Sequence, residues 1–296
     1  MTFRTRFAPS PTGPLHLGHA YSALLAHDLA RAHGGDFVLR IEDIDRARSK
    51  PEWEAQIYDD LTWLGLAWPQ PVLRQSTRLA DYRAAVETLW RDDLTFACIC
   101  TRRDIVEAAS APQEGIPPPT GPDGVVYPGT CRGRTSASGA RTFPAIAAAR
   151  LNVADALQAI SESGPLSFIE TGRGPDGETG LIEFDAREVI EDVGDVVLAR
   201  RDMGTSYHLA VVLDDAAQAI THVVRGADLF QATRIHVVLQ RLLGLTTPTY
   251  HHHQLIRDAA GKRLAKRDDA RAIRHYRDEG ANPADIRAMV GLQDIG

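Results

Sequence analysis

Phe3, Thr5 and Phe7 alternate with Arg4 and Arg6, and a Pro- and Gly-bearing stretch, Pro9 to Pro14, follows at once. Alternation at period two marks a strand, and the loop residues end it. Leu17, Tyr21, Leu24, Leu25 and Leu29 then recur at helical spacing, which predicts a helix from about His16 to Ala32, stopped by Gly34-Gly35. Phe37 to Ile41 reads as a second strand. Strand, glycine-bearing loop, helix and strand make a βαβ unit. Such a unit implies a parallel sheet with ligands at the C-terminal ends of its strands.

Ser49 ahead of Pro51, then Trp53, Ile57, Leu61 and Leu64, with Gly65 as the stop, predict another helix. The character changes after residue 97. Residues 108–124 mix Ala, Pro, Gly and Ser, and 132–140 are rich in Gly, Ser, Thr and Arg, so both are expected as exposed loops. Compact patterning returns near Asp195 to Leu198, then Tyr207 to Leu213. It continues in the strand-like Ile220 to Val224, the helical Ile235 to Leu243 and a strand from Tyr250 to Ile256. The expected fold is α/β. A nucleotide-binding parallel sheet has its first half in residues 1–96 and its second half in 191–296, split by an insertion over 97–190. Composition bounds the function only loosely. A net charge of −6 excludes a protein that coats nucleic acid by bulk electrostatics, while leaving room for a local basic surface. No run of roughly 18 apolar residues and no signal-like N-terminus appear, and three cysteines do not make a disulfide scaffold. These features fit a cytoplasmic, enzyme-like chain without a membrane partner.

His16-Leu17-Gly18-His19 opens the first helix directly after the first strand. A helix N-terminus with two imidazoles is a ready anion site, and Gly18 permits close approach of a nucleotide. Nucleotidyl transfer needs such donors for charge growing on phosphates. Alone, this motif is no more than two solvent-facing histidines or half of a metal site. It gains weight from Arg263-Leu264-Ala265-Lys266-Arg267, a basic run near the end of the α/β pattern. A lysine there can reach the ATP phosphates when the site closes. The two motifs resemble the HIGH and KMSKS signatures of class I aminoacyl-tRNA synthetases. That resemblance implies ATP-binding and catalytic roles for His16, His19 and Lys266, ATP contact at Gly18, and Mg²⁺ accompanying ATP. Ala265 stands where the motif usually has Ser, which implies a lower rate rather than a lost activity.

Arg6-Phe7-Ala8-Pro9-Ser10-Pro11-Thr12-Gly13, Arg40-Ile41-Glu42-Asp43-Ile44-Asp45, Tyr207-His208-Leu209-Ala210 and Val224-Arg225-Gly226-Ala227-Asp228-Leu229 resemble the glutamyl branch of those enzymes. Glutamate brings two carboxylates and one ammonium. Arg6 and Arg225 at strand ends are candidate carboxylate partners, and Glu42 at another can take the ammonium. Ser10 and Tyr207 supply neutral hydrogen bonds, and by resemblance Ala8 also lies against glutamate.

All three cysteines fall in the insertion: Cys98 and Cys100, then Cys131. Cys-x-Cys with a distant Cys suggests tetrahedral zinc and leaves the fourth ligand open, three small buried thiols being the alternative. A shortened glutamyl-type branch, the glutamyl-queuosine tRNA(Asp) synthetases, carries Cys-x-Cys…Tyr-x-x-x-Cys, and Tyr127 matches its tyrosine. One structural Zn²⁺ per chain is therefore expected on Cys98, Cys100, Tyr127 and Cys131. His251-His252-His253 is expected as plain strand, because neighbours point to opposite faces. The chain stops about thirty residues past Lys266, with a helix expected over Pro283 to Val290 and no anticodon-binding domain. A monomer is expected, and the resemblance implies that it activates L-glutamate with ATP without tRNA. It then transfers glutamate to the queuosine base at the wobble position of tRNA(Asp). A short glutamyl-tRNA synthetase acting on tRNA(Glu), or a non-catalytic paralogue binding RNA or glutamate, are the alternatives.

Overall fold

The computed structural model describes residues 2–110, 117–135, 142–144, 146–256 and 271–293. The N-terminal βαβ unit is present as β1 (Arg4–Phe7), α1 (Leu17–Ala32) and β2 (Asp36–Ile41). The two strands pair in parallel, with Arg6 opposite Val38. Helix α1 turns a face of small residues, Ala20, Ala23, Ala26 and Ala30, with Leu17 and Leu24, onto the sheet. Small side chains let it sit close enough for Thr5 Oγ1 to donate to the Ala26 carbonyl at 2.8 Å. Helix α2 (Pro51–Trp63) follows, with Pro51 in its first turn. Its N-cap is Lys50, one residue after Ser49, and the chain turns away through Gly65 at φ 80°. Strand β3 (Leu73–Arg74) extends the sheet in parallel beyond β2.

Helix α3 (Leu79–Arg91), β4 (Thr95–Cys98) and α4 (Arg102–Ser110) lead into the middle of the chain. Within 108–124, expected as open loop, β5 (Thr120–Gly121) and β6 (Gly124–Val125) form a hairpin. Its turn is Gly121-Pro122-Asp123-Gly124, with proline where φ is preset and Gly124 at φ 100°. Strand β7 (Ala148–Leu151) pairs antiparallel with β4, α5 (Val153–Ala159) follows, and β8 (Leu166–Glu170) pairs antiparallel with β9 (Gly180–Phe184). After the short α6 (Ala186–Glu188), β10 (Val197–Ala199) joins β7 from the other side.

Helix α7 (Tyr207–Ala217), β11 (His222–Gly226), α8 (Thr233–Leu242) and β12 (Thr249–His253) complete the parallel arrangement. Strand β11 pairs in parallel with β12, and β12 with β8 at Tyr250–Glu170. Both strands were expected nearby, but β11 runs two residues later than Ile220–Val224 and β12 ends before Gln254. The sheet halves meet at β1 and β11: the Thr221 N–H donates to the Arg4 carbonyl at 3.0 Å, and the Arg4 N–H to Thr221 Oγ1 at 2.8 Å. Two apolar cores lie along this sheet, one gathering Leu24, Leu39, Ile57, Leu61 and Ile286, the other Leu209, Val212, Val223, Leu239 and Tyr250. Helices α9 (Ile273–Asp278) and α10 (Pro283–Met289) close the described chain. Arg287 clamps α10 to α1 by donating both Nη atoms to Asp28, at 2.7 and 2.8 Å.

Candidate active site

One cavity of about 530 Å³ opens where β1, β2 and β11 end and α1 and α7 begin. Arg6, Ala8, Ser10, His16, Gly18, His19, Glu42, Tyr207 and Arg225 all line it, joined by Ser22, Asp228 and His253. Every residue expected to touch glutamate or ATP is there except Lys266, which with Ala265 lies outside the described residues. Parallel strands bring this about. Their C-terminal ends share one edge of the sheet, so side chains far apart in sequence converge.

His16 is the N-cap of α1, not its first helical residue. Its Nδ1 accepts the Gly18 N–H at 3.1 Å, and His19 Nδ1 accepts the His16 N–H at 3.2 Å. The proton of each neutral ring therefore sits on Nε2. The two rings lie against each other with centroids 3.8 Å apart and planes tilted by 30°. A Cβ at Gly18 would stand 3.1 Å from His16 Cε1, so the glycine makes room for this imidazole. Because His16 takes the Gly18 amide, the imidazole donors expected here stand in for one of the backbone amides of the helix N-terminus.

Beneath the cavity lies a buried ion-pair lattice. Arg6 Nε donates to Asp215 Oδ1 at 3.1 Å, and its Nη1 to the Val224 carbonyl at 3.2 Å. Arg40, fully buried, donates Nη1 to Asp215 Oδ1 at 2.7 Å and Nη2 to Glu42 Oε1 at 3.1 Å. Burial acts to raise the Asp215 carboxyl, yet Arg6 and Arg40 outweigh it and hold Asp215 below the usual carboxylate range. At Glu42 the balance goes the other way. Burial dominates the pull of Arg40 and Arg6, and the carboxyl stands above its ordinary value. An ammonium arriving beside Glu42 would favour the ionised form. Burial also raises the Tyr207 hydroxyl, keeping it a neutral hydrogen-bonding group.

The sequence gives Asp215, Arg40, His236 and His252 no site role. Arg40 carried a signal, since it stands two residues before Glu42 in a strand and so shares its face. The two histidines carried none, because their partner Arg225 is reached only through the fold. The strand expected at His251–His253 is present, but its histidines part ways. His252 is buried against Arg225, while His253 Nε2 meets Ser22 Oγ at 2.7 Å on the cavity wall.

A second, larger groove of about 1040 Å³ adjoins the first and shares Ser10, Glu42 and Tyr207 with it. Arg48, Arg102, Arg150, Arg200 and Arg201 line it, interleaved with Asp45, Asp123, Asp195 and Asp202, of which Asp45 pairs with Arg48 and Asp202 with Arg200. At its far side the Cys98, Cys100 and Cys131 sulfurs lie within 4.8 Å of one another. Cys100 and Cys131 Sγ are 3.6 Å apart, and the Tyr127 oxygen is 3.5 Å from both Cys98 and Cys100 Sγ. A tetrahedral zinc would require sulfurs about 3.8 Å apart and a sulfur–oxygen spacing of about 3.5 Å. The four side chains fit such an ion. Burial pushes the Cys100 thiol up to about 11, so binding a cation would release its proton. The Tyr127 oxygen also accepts the Cys131 N–H at 3.0 Å, and the Arg150 guanidinium lies 4.1 Å from the centre of the Tyr127 ring.

The family model of class I tRNA synthetases (E and Q), catalytic domain, matches residues 2–118 and 176–295. The chain is 61% identical over 289 residues to the glutamyl-Q tRNA(Asp) synthetase of Rhodobacter capsulatus, covering 97% of this chain and 99% of that protein. It is 41% identical over 285 residues to the glutamyl-Q tRNA(Asp) synthetase of Nocardia farcinica, covering 96% of this chain and 82% of that one. Among solved structures, a glutamate tRNA ligase from Elizabethkingia meningosepticum, in complex with its amino acid, superposes with a TM-score of 0.71 at 28% identity. That match covers 98% of this chain and 60% of the ligase. No helix of the described residues is long and apolar enough to cross a membrane. The chain belongs to the class I tRNA synthetases of the E and Q group, and within them to the family of the glutamyl-Q tRNA(Asp) synthetases.

Proposed function

We infer that the chain activates L-glutamate with ATP and transfers it to the queuosine base of tRNA(Asp). The observation that carries the activation step is the convergence of Arg6, Ala8, Ser10, His16, Gly18, His19, Glu42, Tyr207 and Arg225 on one cavity. Arg6 and Arg225 take the carboxylates of glutamate, Glu42 its ammonium, and Tyr207 and Ser10 neutral hydrogen bonds. Held so, the α-carboxylate oxygen attacks the α-phosphorus of ATP and pyrophosphate leaves, the barrier falling mainly through positioning. The Nε2–H groups of His16 and His19 meet charge that grows on the phosphates, and Lys266 adds its ammonium there, alongside the Mg²⁺ that accompanies ATP. A hydroxyl of the modified base then attacks the glutamyl carbonyl and adenosine monophosphate departs. The adjoining groove, lined by arginines and carboxylates alike, shares Glu42 and Tyr207 with the cavity and is wide enough to offer a path for the RNA. Zn²⁺ on Cys98, Cys100, Tyr127 and Cys131 would tie β4 to the loop that follows β6 and takes no part in the reaction.

The decisive test supplies labelled glutamate and ATP with queuosine-containing tRNA(Asp) or with tRNA(Glu). Label on tRNA(Asp) that disappears when the wobble base is guanosine is the expected result. Label on tRNA(Glu) alone would overturn the acceptor while leaving the activation chemistry in place.

A further inference from the structure

Arg225 lines the cavity, yet its guanidinium is already engaged by the protein on most of its edges. Nε donates to His252 Nε2 at 3.0 Å and Nη1 to His236 Nδ1 at 3.0 Å. Nη2 donates to Thr233 Oγ1 at 2.7 Å and to the Leu229 carbonyl at 3.3 Å. The Tyr250 ring covers one face, its centroid 5.0 Å from Cζ. A guanidinium has five N–H groups and no acceptor, so these contacts leave a single N–H, on Nη1. Arg6 differs. With Nε on Asp215 and one Nη1 proton on Val224, its Nη2 meets no acceptor among the described residues.

Because Arg225 only donates, it dictates the tautomers around it. His252 Nε2 must accept, so its proton is on Nδ1, 2.5 Å from Glu170 Oε2. Glu170 Oε1 is held in turn by the backbone N–H groups of His252, at 2.9 Å, and Gly172, at 2.7 Å. His236 Nδ1 must likewise accept, so its Nε2–H points to His208 Nδ1 at 3.2 Å, and His208 Nε2 faces Asp123 Oδ1 at 3.5 Å. With all three rings neutral, every contact pairs a donor with an acceptor. His236 and His252 are each only 1% exposed, which favours that neutral state.

We propose that His236 and His252 are positioning residues whose acceptor nitrogens hold Arg225 in one orientation, so that its remaining N–H meets a carboxylate of the amino-acid substrate. The two-pronged grip on a carboxylate then falls to Arg6, through Nη1 and Nη2. The proposal rests on the cavity being the glutamate-activating site. It explains why two histidines without access to substrate are buried behind an arginine: they restrict a side chain that otherwise samples many rotamers, before glutamate arrives.

The test is glutamate-dependent ATP–pyrophosphate exchange in His236→Leu, His252→Leu, His236→Asn and His252→Gln. The amide oxygen of Asn stands near the imidazole Nδ1 position and that of Gln near Nε2, so these two restore the acceptor. The leucine variants should raise KM for glutamate by roughly 10- to 100-fold while KM for ATP stays put, and the amide variants should return to within several-fold of the parent. Leucine variants with the parental glutamate KM would defeat the proposal, as would amide variants no better than leucine. Should the leucine variants fail to fold, nitrogen-15 spectra of the histidines in the intact protein decide it. His252 protonated on Nδ1 and His236 on Nε2 is the expected pattern, and the opposite tautomers would refute it. Absence of exchange in the parent protein would instead remove the active-site reading itself.

Discussion

At Arg6 one side chain serves the fold and the cavity together, with Nε and Nη1 holding Asp215 and the Val224 carbonyl while Nη2 stays available. Arg6→Lys keeps the charge but not this division of labour, since an ammonium cannot reach both partners and also present a flat edge. We expect kcat/KM for glutamate in pyrophosphate exchange to fall by roughly 100-fold, mostly through KM, with KM for ATP little changed. An unchanged glutamate KM would remove Arg6 from the substrate contacts. Asp60 in α2 poses a purely structural question. It is fully buried, its Oδ1 has no hydrogen-bond partner among the described residues, and burial pushes its carboxyl up to about 6. In the unfolded chain it titrates near 3.8, so the folded state loses stability as pH rises from about 4 to about 6. Asp60→Asn should abolish that loss. Its stability relative to the parent, from urea melts, should improve by up to about 3 kcal/mol between pH 4 and pH 8. Charged residues at strand ends were visible in the sequence because the βαβ pattern says where strands end. Their supports were not. Asp215 serves Arg6 from 209 positions away and His252 serves Arg225 from 27, and no local periodicity encodes either pairing.

Among the elements, β4 and the β5–β6 hairpin depend most on something other than an apolar core. The small cluster there consists of Phe96, Cys98, Tyr127 and Cys131, with Cys100 and Ile105 against it. An ion bound by the thiolates and Tyr127 would supply the missing cohesion. Purified protein should therefore carry zinc, and stripping it with a chelator should lower Tm by roughly 5–10 °C. Cys131→Ser should reproduce that drop, whereas a metal-free preparation with the same Tm would end the zinc assignment. Helices with a strong apolar repeat were legible to within a residue or two, as at Leu17–Ala32 and Pro283–Met289. Proline and glycine mark breaks over the whole of 108–124 in the sequence, and this conceals the hairpin. In Gly121-Pro122-Asp123-Gly124 they build a turn, which brings Asp123 to His208.

Over the whole molecule, Asp215 is the point where β1, β2 and α7 are joined, since Arg6 and Arg40 both end on its Oδ1. Asp215→Ala would strand two guanidinium groups in a buried site. We expect a loss of about 3–5 kcal/mol in unfolding free energy, measured by denaturant melts, in contrast to the small effect of removing exposed pairs such as Arg187–Glu191. The parallel sheet and its ligand edge were foreseeable from the first βαβ unit. What that unit could not reveal is which later strand lies beside β1. The Arg4–Thr221 contact spans 217 residues, and this separation has a consequence during synthesis. At roughly 5–20 residues per second, a ribosome needs about 10–40 s after making β1 to deliver its neighbour. Through that interval the nascent N-terminal unit carries a bare sheet edge and an unfinished ion-pair lattice, with Arg6 and Arg40 awaiting their carboxylate. The growing chain, more than the finished enzyme, is thus the form most exposed to aggregation and most dependent on chaperones.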